Sequence, residues 1–259
     1  MSRSSSAGTR CAGSTRRHGA WGSPRTPSWR VPVQRSPSWP SPSWPRCGRR
    51  SVGRVGGGDG FVAARRLTAA GRRTTAVLVG DPARLAGVAA AHNWGVLQAM
   101  ASAGSLELYV APTPELLLQL RARLSPASLI VDALLGSGAS GPLREPVSSA
   151  VDLLNAIRTH ARAAGRPCRV LAVDTPTRID LTDGTQSDPV VVADLTVTFH
   201  RAKAGFALDP EARRLAGRYF VGPIGIPLEA EDGIVPPDGE FPPARITQVT
   251  WQEPGGAPS

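Results

Sequence analysis

The sequence is short of several residue types, and each shortage excludes a class of protein. Only three cysteines occur, Cys11, Cys47 and Cys168, and they lie far apart. This spacing excludes a disulfide scaffold and a CxxC zinc site and fits a reducing compartment. No run of about 18 apolar residues is present, so no transmembrane helix is expected. We therefore expect a cytoplasmic protein without a membrane partner.

Acidic residues are missing from the first fifty positions, which hold ten arginines. The formal charge of +10 belongs to this segment, because residues 51–259 hold 20 basic and 20 acidic side chains. A nucleic-acid-binding fold needs arginine and lysine clustered on its folded surface, and the neutral part of the chain does not support one. That part is long enough to bury one core, so we expect one domain.

Lysine is the scarcest charged residue. It occurs once, at Lys203, whereas the other 29 basic residues are arginine. A chain so rich in arginine that keeps one lysine suggests that a compact ammonium group is required there. A chance survival explains the observation equally well.

Serine, proline, arginine and tryptophan dominate the first fifty residues, where the tripeptide Pro-Ser-Trp occurs three times. Such a composition cannot bury enough apolar surface to offset chain entropy, so residues 1–52 are expected to be disordered. Three interpretations remain open. The segment is an organelle transit peptide, although its prolines oppose the amphipathic helix that this requires. It is a basic arm whose tryptophans stack on nucleic-acid bases. Alternatively, it is a GC-rich gene translated in a wrong reading frame, which resequencing would test.

The remainder alternates apolar strands with amphipathic helices, from which we expect a domain over residues 53–230 and a Pro/Gly-rich tail over 231–259. A helix after Asp81 is predicted to bury Leu85, Val88, His92, Val96 and Met100. Near-continuous apolar strands indicate a parallel sheet covered on both faces. The predicted architecture is a doubly wound, Rossmann-like α/β fold with a mostly parallel sheet and helices on both faces. The strands are predicted over 74–80, 106–111, 128–134, 168–173, 194–199 and 219–221.

Ligands of such sheets bind beyond the carboxyl ends of the strands, and this rule selects three loops. They follow the strands that end near residues 134, 173 and 199, and they cover 136–142, 174–180 and 200–205. A fourth element, the glycine-rich stretch 56–60, precedes a helical run, where backbone N–H groups favour anions. We expect all four to line one cleft. Asp132 interrupts an apolar strand, and its carboxylate either caps the following loop or coordinates an ion.

These loops, in this order, resemble the NAD(P)H-hydrate epimerase family, the YjeF N-terminal domain. The family run GNNGGDGFVAARHL is similar to RVGGGDGFVAARRL at 54–67. Its VDALLGTG, with REP some residues later, is similar to VDALLGSG at 131–138 and Arg144-Glu145-Pro146. Its VDxPSGxD resembles VDTPTRID at 173–180, and its ADLTVTFxxxKxG resembles 193–205. The resemblance covers about residues 55–228.

The resemblance implies an isomerase that interconverts the R and S forms of hydrated NADH and NADPH, with a potassium ion beside the substrate. Asp174 would be the catalytic acid and base, since inversion of the carbinolamine carbon requires reversible proton movement. Potassium would be held at the positions of Gly56, Asp132 and Thr177, and a homodimer is left open. The substrate would contact Val55, Gly56, Gly57, Gly58, Asp59, Gly136, Ser137, Gly138, Ala139, Ser140, Gly141, Pro142 and Asp174.

The sequence also departs from the family pattern. Arg54, Val55 and Gly56 stand where the family has a glycine and two asparagines, and the second asparagine is a potassium ligand there. Arg178 replaces a glycine and is expected to crowd its turn. The family's opening helix and strand have no counterpart in residues 1–50, which would leave one flank of the sheet uncovered. We therefore expect low activity. The alternative is a catalytically impaired relative that acts as a nucleotide-binding or protein-interaction domain.

Overall fold

The computed structural model describes residues 51–55, 58–85, 87–136, 143–233 and 243–251. The predicted site residues Gly56 and Gly57 and those at 137–142 lie outside them. Residues 1–50 of the segment 1–52 that was predicted to be disordered do so as well, whereas Ser51 and Val52 lie in a strand.

Eight strands form one sheet within the described chain: β1 (Ser51–Val55), β2 (Thr74–Val79), β3 (Glu107–Ala111), β4 (Leu129–Ala133), β5 (Arg169–Val173), β6 (Leu195–Phe199), β7 (Arg218–Gly222) and β8 (Thr247–Val249). Their order is β3-β2-β1-β4-β5-β6-β7-β8. Every neighbouring pair is parallel except β7 and β8. The order reverses direction between β1 and β4, where a doubly wound sheet opens a crevice for ligands.

Helices connect these strands: α1 (Gly58–Ala69), α2 (Val88–Ser102), α3 (Pro114–Gln119), α4 (Arg121–Leu124), α5 (Val147–Ala163), α6 (Ala204–Leu208) and α7 (Pro210–Ala216). Helices α1 and α2 bury Phe61 and Trp94 against the β2 residues Ala76 and Leu78. Helices α3, α4 and α5 pack on the alternate residues of the same strand and on β4 and β5. The sheet is therefore covered on both faces, and the predicted fold class is confirmed. No described helix is long and apolar enough to cross a membrane.

The predicted buried face of the helix after Asp81 was wrong in part: Leu85 and Met100 pack against the core, but Val88 and His92 are exposed. Pro82–Arg84 forms only a 3-10 turn capped by Asp81, and α2 begins at Val88, whose side chain is 89% exposed. The buried residues of α2 are Ala90, Trp94 and Leu97. The ring of Trp94 lies 5.4 Å from that of Phe61 in α1. Burying the large indole ring sets the rotation of the helix, because it removes more apolar area from water than valine does.

Two strands lie where none was expected. Strand β1 runs between β2 and β4 at the centre of the sheet, so the expectation of a missing opening strand was wrong. The expected absence of an opening helix concerns residues 1–50, which lie outside the described residues. Strand β8 lies within the stretch 231–259 that was expected to be a tail. Its Val249 is buried, and the ring of Trp251 lies 5.7 Å from that of Tyr219. The sheet therefore uses residues on both sides of the predicted 53–230 boundaries.

Candidate functional site

The loops selected from the sequence follow four adjacent strands. Strands β1, β4, β5 and β6 are neighbours in the sheet and all run parallel. Their carboxyl ends therefore meet at one edge, as the rule for parallel sheets predicts. Asp59, the acidic residue of the first loop, is exposed in the first turn of α1. Gly136 is exposed after β4, where the described part of the second loop ends.

Asp132 and Thr177 are brought into direct contact. Both are 0% exposed, one near the end of β4 and the other in the loop after β5. The Thr177 hydroxyl donates to Oδ1 of Asp132 at 2.8 Å, and the Thr177 backbone N–H donates to Oδ2 at 2.8 Å. The backbone N–H of Leu134 also donates to Oδ1, at 3.2 Å. The carboxylate thus caps the loop that follows its own strand and fastens the loop of the next strand to it.

A second group of polar side chains surrounds Asp174. The Thr198 hydroxyl donates to Asp174 Oδ1 at 2.9 Å, and Lys203 Nζ lies 3.7 Å from the same oxygen. Lys203 Nζ also donates to the carbonyl oxygen of Phe199 at 3.0 Å. The Asp174 side chain is 14% exposed, so the carboxylate is largely enclosed yet reachable from solvent. A carboxylate in this position can exchange a proton with a molecule bound at this edge.

Sequence reasoning missed two residues of this group. Thr198 is fully buried in β6, and Tyr219 of β7 accepts a hydrogen bond from the Lys203 N–H at 3.2 Å. Burial raises the pKa of Tyr219 far above its usual range, so its hydroxyl stays protonated at neutral pH. Threonines alternate with apolar residues along β6, and both Thr196 and Thr198 are fully buried. Hydroxyls at buried strand positions are the signal that could have identified Thr198, since a buried hydroxyl needs a partner.

A clasp of His200, Arg201 and Glu231 closes the same edge and was also missed. Glu231 ends the 3-10 turn Leu228–Glu231 after β7. Its Oε1 contacts His200 Nε2 at 2.5 Å and accepts from Arg201 Nε at 2.6 Å. The Arg201 hydrogen bonds lower the pKa of Glu231, with a smaller contribution from His200. The clasp joins the loop after β6 to the segment after β7.

Backbone strain is concentrated at this edge. Among the described residues, the non-glycine residues with positive φ are Asp174 (67°), Arg178 (86°) and His200 (66°). All three lie in the loops after β5 and β6. Left-handed backbone of this kind costs free energy and persists where the surrounding structure enforces it, commonly at functional sites. The pattern supports this edge as the site independently of side-chain chemistry.

Replacing Arg178 tests the expected crowding of its turn. Arg178→Gly and Arg178→Ala both remove the guanidinium, but only glycine adopts a φ of 86° without steric cost. We expect the glycine variant to exceed the alanine variant by about 1 kcal/mol in free energy of unfolding, measured by urea denaturation. Equal stability of the two variants would show that the left-handed backbone stores no strain there.

The remaining predicted features have plainer roles. Cys168 is buried before β5, and burial raises its pKa, as expected of a cysteine in the core. His92 and His160 lie exposed on α2 and α5. Within the described ranges, no three His, Cys, Asp or Glu side chains gather as a metal cluster. A soft-metal centre therefore has no support in this part of the chain.

Comparisons with known proteins agree on one family. The family described as "YjeF-related protein N-terminus" matches residues 47–205. The bifunctional NAD(P)H-hydrate repair enzyme Nnr of Pyrobaculum aerophilum is 42% identical over 186 residues, 70% of this chain and 33% of that protein. The NAD(P)H-hydrate epimerase of Cenarchaeum symbiosum is 36% identical over 184 residues, 69% of this chain and 74% of that protein. The chain thus spans about a third of the bifunctional relative.

A solved structure has the same fold. The crystal structure of the yeast protein YNL200c matches with a TM-score of 0.58, covering 81% of this chain and 82% of that one. The two sequences are 19% identical, so the likeness concerns the fold alone.

Proposed function

The chain belongs to the family of YjeF-related protein N-termini, and on that premise we propose that it epimerises the R and S forms of hydrated NADH and NADPH. Relatives more than 30% identical carry the names of NAD(P)H-hydrate epimerase and repair enzyme. The observation that carries the proposal is Asp174, an enclosed carboxylate in strained backbone at the carboxyl edge. We place the reaction in the cytoplasm.

The chemistry requires one group that both accepts and returns a proton. As the carbinolamine opens, the hydroxyl on C6 gives its proton to Asp174, the carbon–nitrogen bond breaks and a carbonyl forms. The nitrogen then takes the proton from the carboxyl group. Rotation of the freed carbonyl and closure on its other face reverse both transfers and invert the carbon. A carboxylate within hydrogen-bond reach of both atoms is sufficient for this cycle.

Potassium is the proposed companion of the substrate, held by the Asp132 carboxylate and the Thr177 hydroxyl. The donor chemistry supports this choice, because both groups offer hard oxygens and one negative charge. Thr177 gives its hydrogen to Asp132, which leaves the lone pairs of its hydroxyl oxygen for a cation. When bound, the ion would supply positive charge beside the substrate. The third predicted position, Gly56, offers no side chain.

Arg54 is expected to weaken this ion site. Its Cα is the register partner of Asp132 across β1 and β4. Like charges about 6 Å apart, at an effective dielectric constant of about 20, repel by roughly 3 kcal/mol. Arg54→Gly should therefore lower the dissociation constant of potassium about a hundredfold. The measurement is the potassium-dependent rise in melting temperature, titrated with KCl against matched NaCl, with Arg72→Gly in an exposed turn as the control variant. Equal titrations for Arg54→Gly and the wild type would contradict the prediction.

Epimerisation itself is tested on the purified chain. Hydrated NADH enriched in one epimer is incubated with protein, and the approach to the equilibrium mixture is followed by chromatography. We expect a rate above the uncatalysed one and below that of an intact relative, increasing with potassium. A rate equal to the uncatalysed one in KCl would overturn the proposal and favour the impaired relative that only binds a nucleotide.

A further inference from the structure

Lys203 occupies a position that the proposed function does not explain. It is the only lysine among 259 residues, and its side chain is 25% exposed at the carboxyl edge. Its ammonium donates to the Phe199 carbonyl oxygen and lies beside Asp174 Oδ1, at a distance that makes an ion pair rather than a hydrogen bond. The lysine side chain therefore faces the proposed acid and base, not open solvent.

The backbone holds both partners in place. The Asp174 N–H donates to the Val197 carbonyl oxygen at 2.8 Å, which fixes its left-handed conformation. The Lys203 N–H donates to the buried hydroxyl of Tyr219. A Cβ added at Gly205 would lie 2.6 Å from the backbone nitrogen of Gly184, so only glycine allows the two loops to approach this closely. Backbone hydrogen bonds and the close approach of the two loops thus hold Lys203 near Asp174, in addition to the contact between their side chains.

The two carboxylate oxygens of Asp174 differ in their surroundings. Oδ1 is held by the Thr198 hydroxyl and the Lys203 ammonium. Within the described residues, the hydrogen bond from Thr198 and the ion pair with Lys203 both go to Oδ1 and leave Oδ2 out of this pairing. A carboxylate fixed through one oxygen presents the other in a single direction, which preorganises it for proton transfer.

We propose that Lys203, together with Thr198, is a positioning residue that fixes Asp174 through Oδ1 and leaves Oδ2 to exchange the proton with the substrate. This inference rests on the proposed epimerase function. The competing role is direct binding of a substrate phosphate by the ammonium. The two roles differ in which kinetic constant they change, because positioning acts on kcat whereas uniform binding of substrate acts on KM.

Steady-state kinetics of the full chain separates these roles. Lys203→Met should lower kcat about 10- to 100-fold with KM within about twofold, since a misplaced catalytic group costs up to about a hundredfold. Lys203→Arg should recover part of kcat because it restores the charge. Arg214→Met, which removes a charge from the exposed surface of α7, should match the wild type. A Lys203→Met variant with normal kcat and raised KM would overturn the proposal in favour of phosphate binding.

A second measurement distinguishes failure of the inference from failure of the function. A double-mutant cycle compares the melting temperatures of Lys203→Met, Asp174→Asn and the double variant. If the two residues are coupled, the changes in melting temperature are not additive. We expect the double variant to melt no lower than the less stable single variant. Additive shifts would overturn the pairing even if the wild type is active. If the wild type proves inactive while the shifts are non-additive, the function fails and the pairing stands.

Discussion

Replacing Asp132 by alanine is expected to lower the free energy of unfolding by about 3–5 kcal/mol. The buried carboxylate accepts hydrogen bonds from the Thr177 hydroxyl, the Thr177 N–H and the Leu134 N–H. Alanine leaves these donors without an acceptor, and each buried donor that loses its partner costs about 1–3 kcal/mol. If Asp132 served only as a potassium ligand, the same substitution would remove a ligand and leave the stability of the fold unchanged.

Urea denaturation in buffers with and without potassium measures both effects. Asp132→Asn keeps the side-chain volume and one acceptor oxygen, but it sets an amide N–H₂ group against a donor. We therefore expect its free energy of unfolding to lie between those of the wild type and the Asp132→Ala variant. Asp152→Ala, on the exposed side of α5, is the matched control and should change stability by less than about 0.5 kcal/mol. An Asp132→Ala protein as stable as the wild type, but insensitive to potassium, would show that the ion role dominates.

Asp174→Asn is expected to lower the epimerisation rate about 10²- to 10⁴-fold, the usual contribution of a general acid and base. Asparagine is the appropriate replacement because it adopts left-handed backbone more readily than most residues, so the φ of 67° is preserved. Its amide cannot accept and return a proton at neutral pH. The loss should appear in kcat, measured at saturating substrate.

Asp183→Asn provides the matched control for this substitution. Asp183 is an exposed carboxylate in the same loop that accepts hydrogen bonds from Thr185. Removing its charge should leave kcat within about twofold, since it lies outside the group around Asp174. If both variants keep the wild-type rate, another group performs the proton transfer and Asp174 serves only the conformation of its loop.

Much of the fold could be predicted because its apolar periodicity is strong. The strands from β2 to β7 appear close to their predicted limits, since long apolar strands leave few alternatives. Strand β1 (Ser51–Val55) and strand β8 (Thr247–Val249) were missed. Both are short, and their sequences are polar or interrupted by glycine and arginine, so pairing with a neighbour makes them strands rather than their own propensity.

The site was partly predictable for a different reason. Loops at the ends of parallel strands are identified by chain order alone, which selected the loops 136–142 and 174–180. The closeness of Asp132 and Thr177 was implied only by the family resemblance, and the structure brings the two side chains into contact. The roles of Thr198 and Tyr219 depend on which strand lies beside which, and on atoms 2.9 and 3.2 Å apart. The turn of Glu231 back toward His200 likewise depends on tertiary packing. Local sequence patterns carry no information about such contacts.

The solitary lysine has a practical consequence for chemical labelling. Reagents that acylate side-chain amines find one target in this chain, and that target lies partly exposed beside Asp174. The extent of acylation at Lys203, read by mass spectrometry, therefore reports directly on access to the carboxyl edge. A ligand seated there would slow the labelling of a single peptide, whatever its effect on catalysis. Candidate ligands can thus be screened on this protein by footprinting one amine, without any assay of turnover.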